Sequence, residues 1–344
     1  MYFEENISLK PYNTFGIDNS ARWFARFDTI NLLAEQLAYI QQKNKSILIL
    51  GGGSNILLSK DVDGYVLKNE LRGIELLSEN DTHYFVRAAA GENWHQFVCW
   101  CVERNYAGLE NLSLIPGNCG AGPMQNIGAY GVELKDVFYE LTAWDTQDKK
   151  LVQFTHADCA FGYRESIFKH KHKGRFIICS VTFQLNKKPI FKTSYGAIQQ
   201  ELERMGVEGL SISHIAKAVI QIRSSKLPDP ALTGNAGSFF KNPELSIENS
   251  KKLFEKFPDI PRYSLPEGRY KIPAGWLIEH SGPHENQSWK GYRNGDAGCH
   301  PLQALVLVNY GKATGNQIYF LSESILQSVY EKYGILLERE VNIL

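Results

Sequence analysis

The chain has 344 residues, of which 43% are hydrophobic and 22% are charged. This composition is too apolar for a disordered chain, and the length suffices for two or three domains that each bury a core. Lys and Arg total 37, as do Asp and Glu, so the formal net charge is zero. Because no overall field would attract nucleic acid or an anionic membrane, we expect neither as a partner.

Membrane insertion, export and metal binding are not expected either. The longest apolar runs, residues 47–50 and 304–308, are far shorter than the ~18 residues of a membrane span. The N-terminal residues lack the basic region and apolar core of a signal peptide, so we expect a cytoplasmic protein. The six cysteines form no CxxC pair and are typical of small buried hydrophobic residues, which predicts no metal site.

In chain order, helical periodicity alternates with short apolar runs. Thr29 is placed to cap a helix that carries Leu33, Leu37 and Ile40 on one face. Further helices are predicted over 93–105, 195–205, 213–222, 246–257, 274–279 and 314–332. Strands are predicted over 46–50, 84–88, 137–144, 176–185, 304–309 and 335–344. Because the strands are unevenly spaced, we predict an α+β fold rather than a doubly wound sheet.

Two glycine-rich segments are candidates for binding a phosphate-bearing ligand. Residues 51–55, GGGSN, follow a predicted strand, where backbone N–H groups can cradle a pyrophosphate. They match neither a Rossmann nor a Walker motif, so a plain tight turn is an equal alternative. Residues 116–131 contain five glycines and two prolines, which would let a planar ligand approach the backbone closely. We therefore predict that this loop is a second wall of the same site.

Eight sets of short motifs, in this order, resemble those of the UDP-N-acetylenolpyruvoylglucosamine reductase family. They are NTFG at 13–16, GGGSN at 51–55, IPG with QNIGAYG at 115–131, YRES at 163–166, KLPDP at 226–230, GNAGSFFKNP at 234–243, AGWLI at 274–278 and LEREV at 337–341. Tyr195 and the segment around Tyr263 resemble the longer of the family's two subclasses.

The resemblance implies a vanillyl-alcohol-oxidase-like (PCMH-type) FAD-binding fold with a smaller α+β substrate-binding domain. The implied domains are 1–72 together with 318–344, then 73–225, and then 226–317 for the substrate. FAD is expected to be noncovalent, because no histidine directly follows the glycine turn, and NADPH is the expected hydride donor. The implied cofactor-binding residues are Asn13, Thr14, Gly51, Gly52, Gly53, Ser54, Asn55, Gly117, Gly122, Pro123, Gln125, Asn126, Ile127, Gly128, Ala129 and Tyr130.

The resemblance also implies a reaction, the reduction of UDP-N-acetylglucosamine enolpyruvate to UDP-N-acetylmuramate in peptidoglycan precursor synthesis. Hydride from reduced flavin would go to the enolpyruvyl double bond, and Ser238 would supply the proton. Arg164 and Glu340 would bind and polarise the substrate carboxylate.

Each of these roles has a plainer alternative in the residues themselves. Ser238 in a glycine-rich segment could be a turn residue, and Arg164 could be a surface ion-pair partner of Glu165. Glu338 and Glu340 share one face of a predicted strand, so the pattern does not choose between them. Only the resemblance selects Glu340.

The expected partner is a small UDP-sugar substrate, and the chain is expected to act as a monomer. The implied substrate-binding residues are Tyr195, Lys226, Asn242, Tyr263 and Gln303. An ammonium, hydroxyls and amides suit a diphosphate, although the tyrosines could equally be packing residues. Two alternative functions remain open: a flavin oxidase of the same superfamily, and a catalytically silent protein that binds flavin or a nucleotide sugar.

Overall fold

The computed structural model describes residues 3–284 and 287–344, and the chain divides into two compact units. The first unit consists of the described part of Met1–Ile7 with Ala21–Gly53 and Val62–Ser225. The second consists of Ser8–Ser20, Ser54–Asp61 and the described part of Lys226–Leu344. The division into three domains stays a prediction.

The described residues form helices and strands over the following ranges. The α-helices are α1 (Ile30–Gln41), α2 (Trp94–Glu103), α3 (His156–Cys159), α4 (Gly196–Arg204), α5 (Ile212–Lys226), α6 (Ile247–Lys256), α7 (Ala274–Ser281) and α8 (Gly315–Tyr333). The strands are β1 (Glu4–Ser8), β2 (Ser20–Phe27), β3 (Ile47–Leu50), β4 (Ile56–Leu57), β5 (Val62–Asn69), β6 (Ile74–Glu79), β7 (His83–Ala89), β8 (Gly128–Ala129), β9 (Val132–Glu133), β10 (Phe138–Asp145), β11 (Lys150–Thr155), β12 (Phe176–Asn186), β13 (Gly234–Ser238), β14 (Glu244–Leu245), β15 (Tyr263–Ser264), β16 (Tyr270–Lys271), β17 (Arg293–Asn294), β18 (Ala297–His300), β19 (Gln303–Asn309) and β20 (Asn342–Ile343).

The helices predicted from periodicity are all present, with small shifts at their ends. Thr29 caps α1, because its hydroxyl accepts a hydrogen bond from the backbone N–H of Leu32. Asn93 caps α2 in the same way by accepting from Gln96. Caps are local features, so the sequence predicts the Thr29 cap without tertiary information, whereas Asn93 was predicted to lie within the helix and instead caps it. Among the described residues, no helix has the length and apolar character that crossing a bilayer requires.

Two sheets form the frame of the first unit. β2, β5 and β3 run parallel in a four-stranded sheet of order β1-β2-β5-β3. The second sheet is antiparallel, with the order β11-β10-β12-β7-β6. The sequence did not predict β5, whose pattern is interrupted by Gly64. A Cβ on Gly64 would lie 2.6 Å from the carbonyl oxygen of Ser46, so a close backbone approach requires glycine there.

Helix α2 packs on the five-stranded sheet through aromatic side chains. Trp94, Phe97 and Phe183 are fully buried. The ring of Phe183 lies 5.0 Å from that of Phe97 and 5.8 Å from that of Trp94, measured between centroids. The indole N–H of Trp94 donates to the carbonyl of Leu112 at 2.9 Å, so its polar atom is also satisfied. This core holds the start of α2 and the chain after Leu112 in fixed positions.

The second unit is built on an antiparallel sheet of order β13-β19-β18-β17, against which α7 and α8 pack. The strand predicted over 335–344 is wrong for most of its length. Buried and exposed residues alternate in this segment as they do in a strand. Its first part, however, pairs through one isolated bridge, between Phe240 and Arg339, and not through a ladder. Only β20 forms, in parallel with β4.

Replacing Phe183 by alanine should lower the free energy of unfolding by about 3–5 kcal/mol, because removal of the buried ring creates a cavity beside Trp94 and Phe97. Leu151→Ala is the control, since Leu151 is 45% exposed on β11 and should cost less than about 1 kcal/mol. Urea unfolding followed by circular dichroism measures both values. Equal losses for the two variants would contradict this description of the core.

Candidate functional site

The two glycine segments predicted to bind the cofactor meet in the first unit. Gly52 follows β3, and a Cβ on it would lie 2.7 Å from the Cα of Gly117 and 2.7 Å from Oδ1 of Asn118. Contacts this short exclude any side chain at Gly52. The two predicted walls are therefore in backbone contact, and glycine is needed for that approach.

Polar groups around this contact hold both segments in place. Asn118 donates from Nδ2 to the carbonyl of Gly91 at 2.7 Å, and the backbone N–H of Trp94 donates to the carbonyl of Gly117 at 3.0 Å. Lys68 donates from Nζ to the carbonyl of Gly51 at 2.7 Å, and burial lowers the pKa of its ammonium group. A partly desolvated cation beside the glycine turn favours phosphate there.

Sequence reasoning missed Lys68. A lysine near the end of a strand belongs to no motif, and nothing in its local sequence indicates a ligand. Its position beside the glycine turn follows from the pairing of β3 with β5, in which Leu50 is the partner of Lys68.

The side chain of Asn126 makes hydrogen bonds within the protein and is not available to a ligand. Asn126 is fully buried, and its Nδ2 donates to the carbonyl of Gly162 at 2.9 Å and to Oε2 of Glu133 at 3.0 Å. Its Oδ1 accepts from the backbone N–H of Lys135 at 3.0 Å. Both amide hydrogens are engaged, so any contact of Asn126 with a cofactor would come from its backbone.

Asn13, in the second unit, is engaged in the same manner. Its Nδ2 donates to the carbonyls of Leu9 and Ile17 at 2.8 and 2.9 Å, and its Oδ1 accepts from the Ile17 amide at 3.0 Å. The next residue, Thr14, accepts at its carbonyl from the backbone N–H of Asn235 at 2.9 Å. The NTFG motif therefore closes a small loop and ties it to β13.

Arg164 lies against the loop that was predicted to bind the cofactor. Gly162 and Glu165 exchange backbone hydrogen bonds of 3.0 and 3.2 Å, and Arg164 inside this turn has a φ of 56°. An arginine in this left-handed region stores strain on the order of 1 kcal/mol, which is typical of functional positions. Its Nη2 donates to the carbonyl of Gly128 at 2.7 Å, so two predicted site residues are brought together.

A second arginine, Arg223 of α5, lies near the same loop. Its Nε donates to the carbonyl of Leu114 at 3.2 Å. Burial lowers the pKa of the Arg223 guanidinium, Tyr130 opposes this shift and Arg164 adds to it. The sequence does not indicate this role, because Arg223 belongs to no motif and an arginine in a helix is usually a surface residue. Arg223 is near both Tyr130 and Arg164, and two neighbouring guanidinium groups make this region suitable for an anion.

Tyr195 lies beside Tyr130. Tyr195 is the residue before α4, it is 50% exposed, and its ring centroid is 5.5 Å from that of Tyr130 in an edge-to-face arrangement. Tyr130 also packs on the core between α4 and α5. A predicted substrate contact and a predicted cofactor contact are thus neighbours in the first unit.

In the second unit, a β-bulge precedes Ser238. Asn235 pairs with Val308 and Ser238 with Val306, so β13 contains one residue more than its partner. Gly237 within the bulge has a φ of 69°, a conformation that favours glycine. Bulges re-aim side chains, and Ser238, the last residue of the edge strand β13, is exposed.

The structure shows contacts for both of the glutamates that the sequence could not separate. The backbone N–H of Glu340 donates to the carbonyl of Phe239 at 2.9 Å, so Glu340 lies next to the Ser238 segment. Glu338 accepts at Oε1 from Nζ of buried Lys241 at 2.5 Å. The carboxylate of Glu338 therefore has a structural cation as its partner.

The second half of the GGGSN motif is tied to the same region. Asn55 donates from Nδ2 to the carbonyl of Glu340 at 3.1 Å, and its own carbonyl accepts from the backbone N–H of Asn342 at 3.1 Å. The short parallel pairing of β4 with β20 continues this connection. Asn55 thereby fixes the backbone at Glu340.

Two predicted substrate residues meet at the start of α7. Asn242 accepts at Oδ1 from the backbone N–H of Ala274 at 2.9 Å. A Cβ on Gly275 would lie only 2.7 Å from Oε1 of Gln303. Glycine at this position therefore leaves room for the Gln303 amide. The structure thus places both amides at the N-terminal turn of one helix.

Lys226 and Tyr263 are exposed, with Tyr263 on the small sheet of order β14-β16-β15. Within the part of the chain that the structure describes, neither side chain takes part in a hydrogen bond or an ion pair. Their role in binding stays a prediction.

The six cysteines are free, and five of them are buried. Burial raises the pKa of Cys179 to about 11 and those of Cys159 and Cys299 to about 12, so these thiols stay protonated near neutral pH. No group of three His, Cys, Asp or Glu side chains among the described residues is arranged to hold a metal ion.

Two family models match the chain. An FAD binding domain matches residues 21–155, and the UDP-N-acetylenolpyruvoylglucosamine reductase, C-terminal domain, matches residues 229–344. The first match contains the Gly52 turn and Gly117, which meet in the structure. The fold and this match define a flavoprotein of the α+β class, as the sequence predicted.

Relatives of known name cover the whole chain. The UDP-N-acetylenolpyruvoylglucosamine reductase of Amoebophilus asiaticus is 48% identical over 344 residues, which is 100% of both chains. That of Pseudomonas putida is 47% identical over 341 residues, or 99% of this chain and 98% of the relative. The solved structure of the reductase from Thermus caldophilus has a TM-score of 0.68 at 22% identity and covers 99% of each chain. The chain belongs to the UDP-N-acetylenolpyruvoylglucosamine reductase family, which confirms the resemblance seen in its motifs.

Gly52→Ala should weaken FAD binding about tenfold to a hundredfold, because the added methyl group would force Gly117 and Asn118 away from the glycine turn. Titration of apoprotein with FAD, followed by the quenching of flavin fluorescence, measures this effect. Gly209→Ala is the matched control, since a Cβ there meets nothing within 4 Å and its φ is ordinary. Unchanged FAD affinity in Gly52→Ala would remove the glycine contact from the cofactor site.

Proposed function

We propose that the chain reduces UDP-N-acetylglucosamine enolpyruvate to UDP-N-acetylmuramate, a step in the synthesis of peptidoglycan precursors. FAD is the noncovalent cofactor and NADPH the hydride donor. The observation that carries the proposal is the pairing of the Ser238 segment with the Glu340 segment, through the 2.9 Å hydrogen bond from the Glu340 amide to the Phe239 carbonyl. A proton donor and an acidic group thereby lie on adjacent backbone segments.

The first unit offers groups that fit FAD. Backbone contact between Gly52 and Gly117 gives a surface without side chains, and Lys68 and the two arginines supply positive charge for phosphates and for an anionic ring. When bound, FAD supplies the electron pair that is transferred as a hydride. Gly51, Gly53, Gly128 and the backbone of Asn126 are the further residues that we assign to holding it.

Ser238 is the group that we assign to protonation. Ser238, which follows the bulge at Gly237, is exposed, so its hydroxyl can meet a substrate. After hydride reaches the enol ether, the adjacent carbon carries negative charge that the substrate carboxylate shares. A hydroxyl at that carbon delivers the proton that completes the reduction.

Arg164 and Glu340 are the residues that we assign to the substrate carboxylate. A guanidinium fixed by Gly128 and by a strained turn is preorganised to stabilise charge that develops in the transition state. Glu340, whose backbone is held by Phe239 and Asn55, would hydrogen-bond the same carboxylate. Glu338 is not assigned a role in catalysis, because it is the ion-pair partner of Lys241.

The diphosphate of the substrate is assigned to amides and cations of the second unit and to Tyr195. Asn242 and Gln303 lie at the N-terminal turn of α7, where the partial positive charge of the helix favours an anion. Lys226 and Tyr263 are exposed and complete the set that we propose. The free, mostly buried cysteines support a reducing, cytoplasmic location, and a monomer stays our prediction.

Ser238→Ala should leave the reduction of bound FAD by NADPH nearly unchanged and slow its reoxidation by the enolpyruvyl substrate about 100-fold or more, because only the second step needs the proton. Anaerobic stopped-flow absorbance measures the two half-reactions separately.

Equal damage to both half-reactions would contradict the role of Ser238. Wild-type protein that is reoxidised rapidly by oxygen and ignores the enolpyruvyl sugar would instead be an oxidase. Wild-type protein that binds FAD but accepts no electrons from NADPH would be a binding protein without catalytic activity.

Glu340→Gln should lower turnover about 100-fold, because an amide cannot share an acidic proton with the charge that develops on the substrate carboxylate, as a carboxyl group can. Glu338→Gln should change turnover less than about threefold, since Glu338 is 65% exposed and pairs with Lys241. Steady-state oxidation of NADPH measures both variants. The opposite ranking would show that Glu338, and not Glu340, acts on the substrate.

A further inference from the structure

His95 faces the residue at which the cofactor loop begins. It lies in the first turn of α2, and its Nδ1 accepts a hydrogen bond from the backbone N–H of Leu114 at 3.0 Å. Because Nδ1 is the acceptor, the proton of the neutral ring resides on Nε2. Leu114 itself has a φ of 58°, which a leucine rarely adopts.

Leu114 is held from both sides. Its N–H is bound by His95 of α2, and its carbonyl accepts from Nε of Arg223 of α5 at 3.2 Å. A strained backbone conformation persists only when its surroundings impose it. These two side chains supply the hydrogen bonds that do so.

The same turn of α2 fixes the chain on either side of Leu114. The indole of Trp94 donates to the carbonyl of Leu112 at 2.9 Å, and the Trp94 backbone N–H donates to the carbonyl of Gly117 at 3.0 Å. Gly117 is the residue in backbone contact with Gly52. Leu114 therefore lies in the short segment between two residues that Trp94 holds, and its conformation directs the chain toward Gly117.

We propose that His95 is a positioning residue for the FAD site: its neutral imidazole, together with Arg223, holds Leu114 in the left-handed conformation that sets Gly117 against Gly52. The inference rests on the proposed role of the glycine segments in binding FAD. His95 acts through the loop and is assigned no contact with FAD or the substrate.

The groups that face His95 favour its neutral form. Arg223 on α5 is cationic, and on α2 the thiol of Cys99 lies 3.7 Å from Nδ1 and 3.8 Å from Nε2. Burial and then Glu103 raise the pKa of Cys99, so the thiol carries no charge near neutral pH. Burial first, and Arg223 second, lower the pKa of His95.

The position therefore has a defined pH dependence. Because the pKa of His95 is lowered in the folded protein, His95 binds a proton there less readily than in the unfolded chain, where it is protonated below about pH 6.5. The stabilising hydrogen bond is fully present above that pH and is lost as the pH falls through the lowered pKa of His95. FAD affinity should fall over the same range.

The experiment compares FAD affinity in variants of the full chain, between pH 5 and pH 8.5. His95→Phe keeps a ring but no acceptor and should bind FAD about tenfold more weakly at pH 7.5. His95→Asn keeps an acceptor at the position of Nδ1 and should bind like the wild type, without the loss of affinity at low pH. His83→Phe on β7 is the control and should match the wild type throughout.

A rescue variant separates positioning from plain stability. Adding Leu114→Gly to His95→Phe should restore affinity to within about threefold of the wild type, because glycine adopts a positive φ without help. Wild-type affinity in His95→Phe, a wild-type pH profile in His95→Asn, or no rescue by Leu114→Gly would each overturn the proposal. Should His95→Phe not fold, the profiles of His95→Asn and the wild type decide.

The proposed FAD site would fail differently from this inference. If the glycine segments did not hold FAD, Gly52→Ala would bind FAD like the wild type. If only the positioning role were wrong, Gly52→Ala would weaken binding while His95→Phe would not.

Discussion

The backbone contact between Gly52 and Gly117 is the constraint on which the first unit's site depends. A single methyl group at Gly52 would lie 2.7 Å from the Cα of Gly117, so no residue other than glycine permits this approach. The surrounding structure serves to maintain it. Lys68 holds the turn at the Gly51 carbonyl, and Trp94 holds the opposite wall at the Gly117 carbonyl. A surface formed by backbone rather than side chains can take a flat, phosphate-bearing cofactor.

In the second unit, the corresponding constraint is the exposure of the Ser238 hydroxyl on a strand of a packed sheet. The bulge at Gly237 leaves Ser238 exposed, while Phe239 directly after it is fully buried and anchors the strand. The Phe239 carbonyl also accepts the hydrogen bond that places Glu340. One buried residue thus fixes the backbone beside both candidate catalytic residues of the second unit, of which Ser238 is exposed and Glu340 is half-buried.

Three cationic side chains of the first unit, Lys68, Arg164 and Arg223, lie at or near the glycine segments. Burial lowers the pKa of the Arg223 guanidinium, the nearby Arg164 adds to this shift, and Lys68 is partly desolvated. Such clustering costs free energy in the absence of an anion and becomes favourable when phosphate or a substrate carboxylate arrives. The strained turn at Arg164 and the strained Leu114 fit the same interpretation, since both store conformational energy next to the loop.

The sequence by itself determined what depends on neighbouring residues and on the order of motifs. The cap at Thr29, seven of the eight helices in the described residues, the two glycine segments and the family were predicted, because caps and glycine requirements are local and the motifs identify the family. Only the tertiary structure showed that Glu338 is the ion-pair partner of Lys241, and it alone revealed Lys68, Arg223 and His95. Each of these depends on a partner far away in the chain, and no local pattern encodes such a distance. The failed strand near the C-terminus has the same cause, because alternation predicts a strand but cannot supply the ladder that completes it.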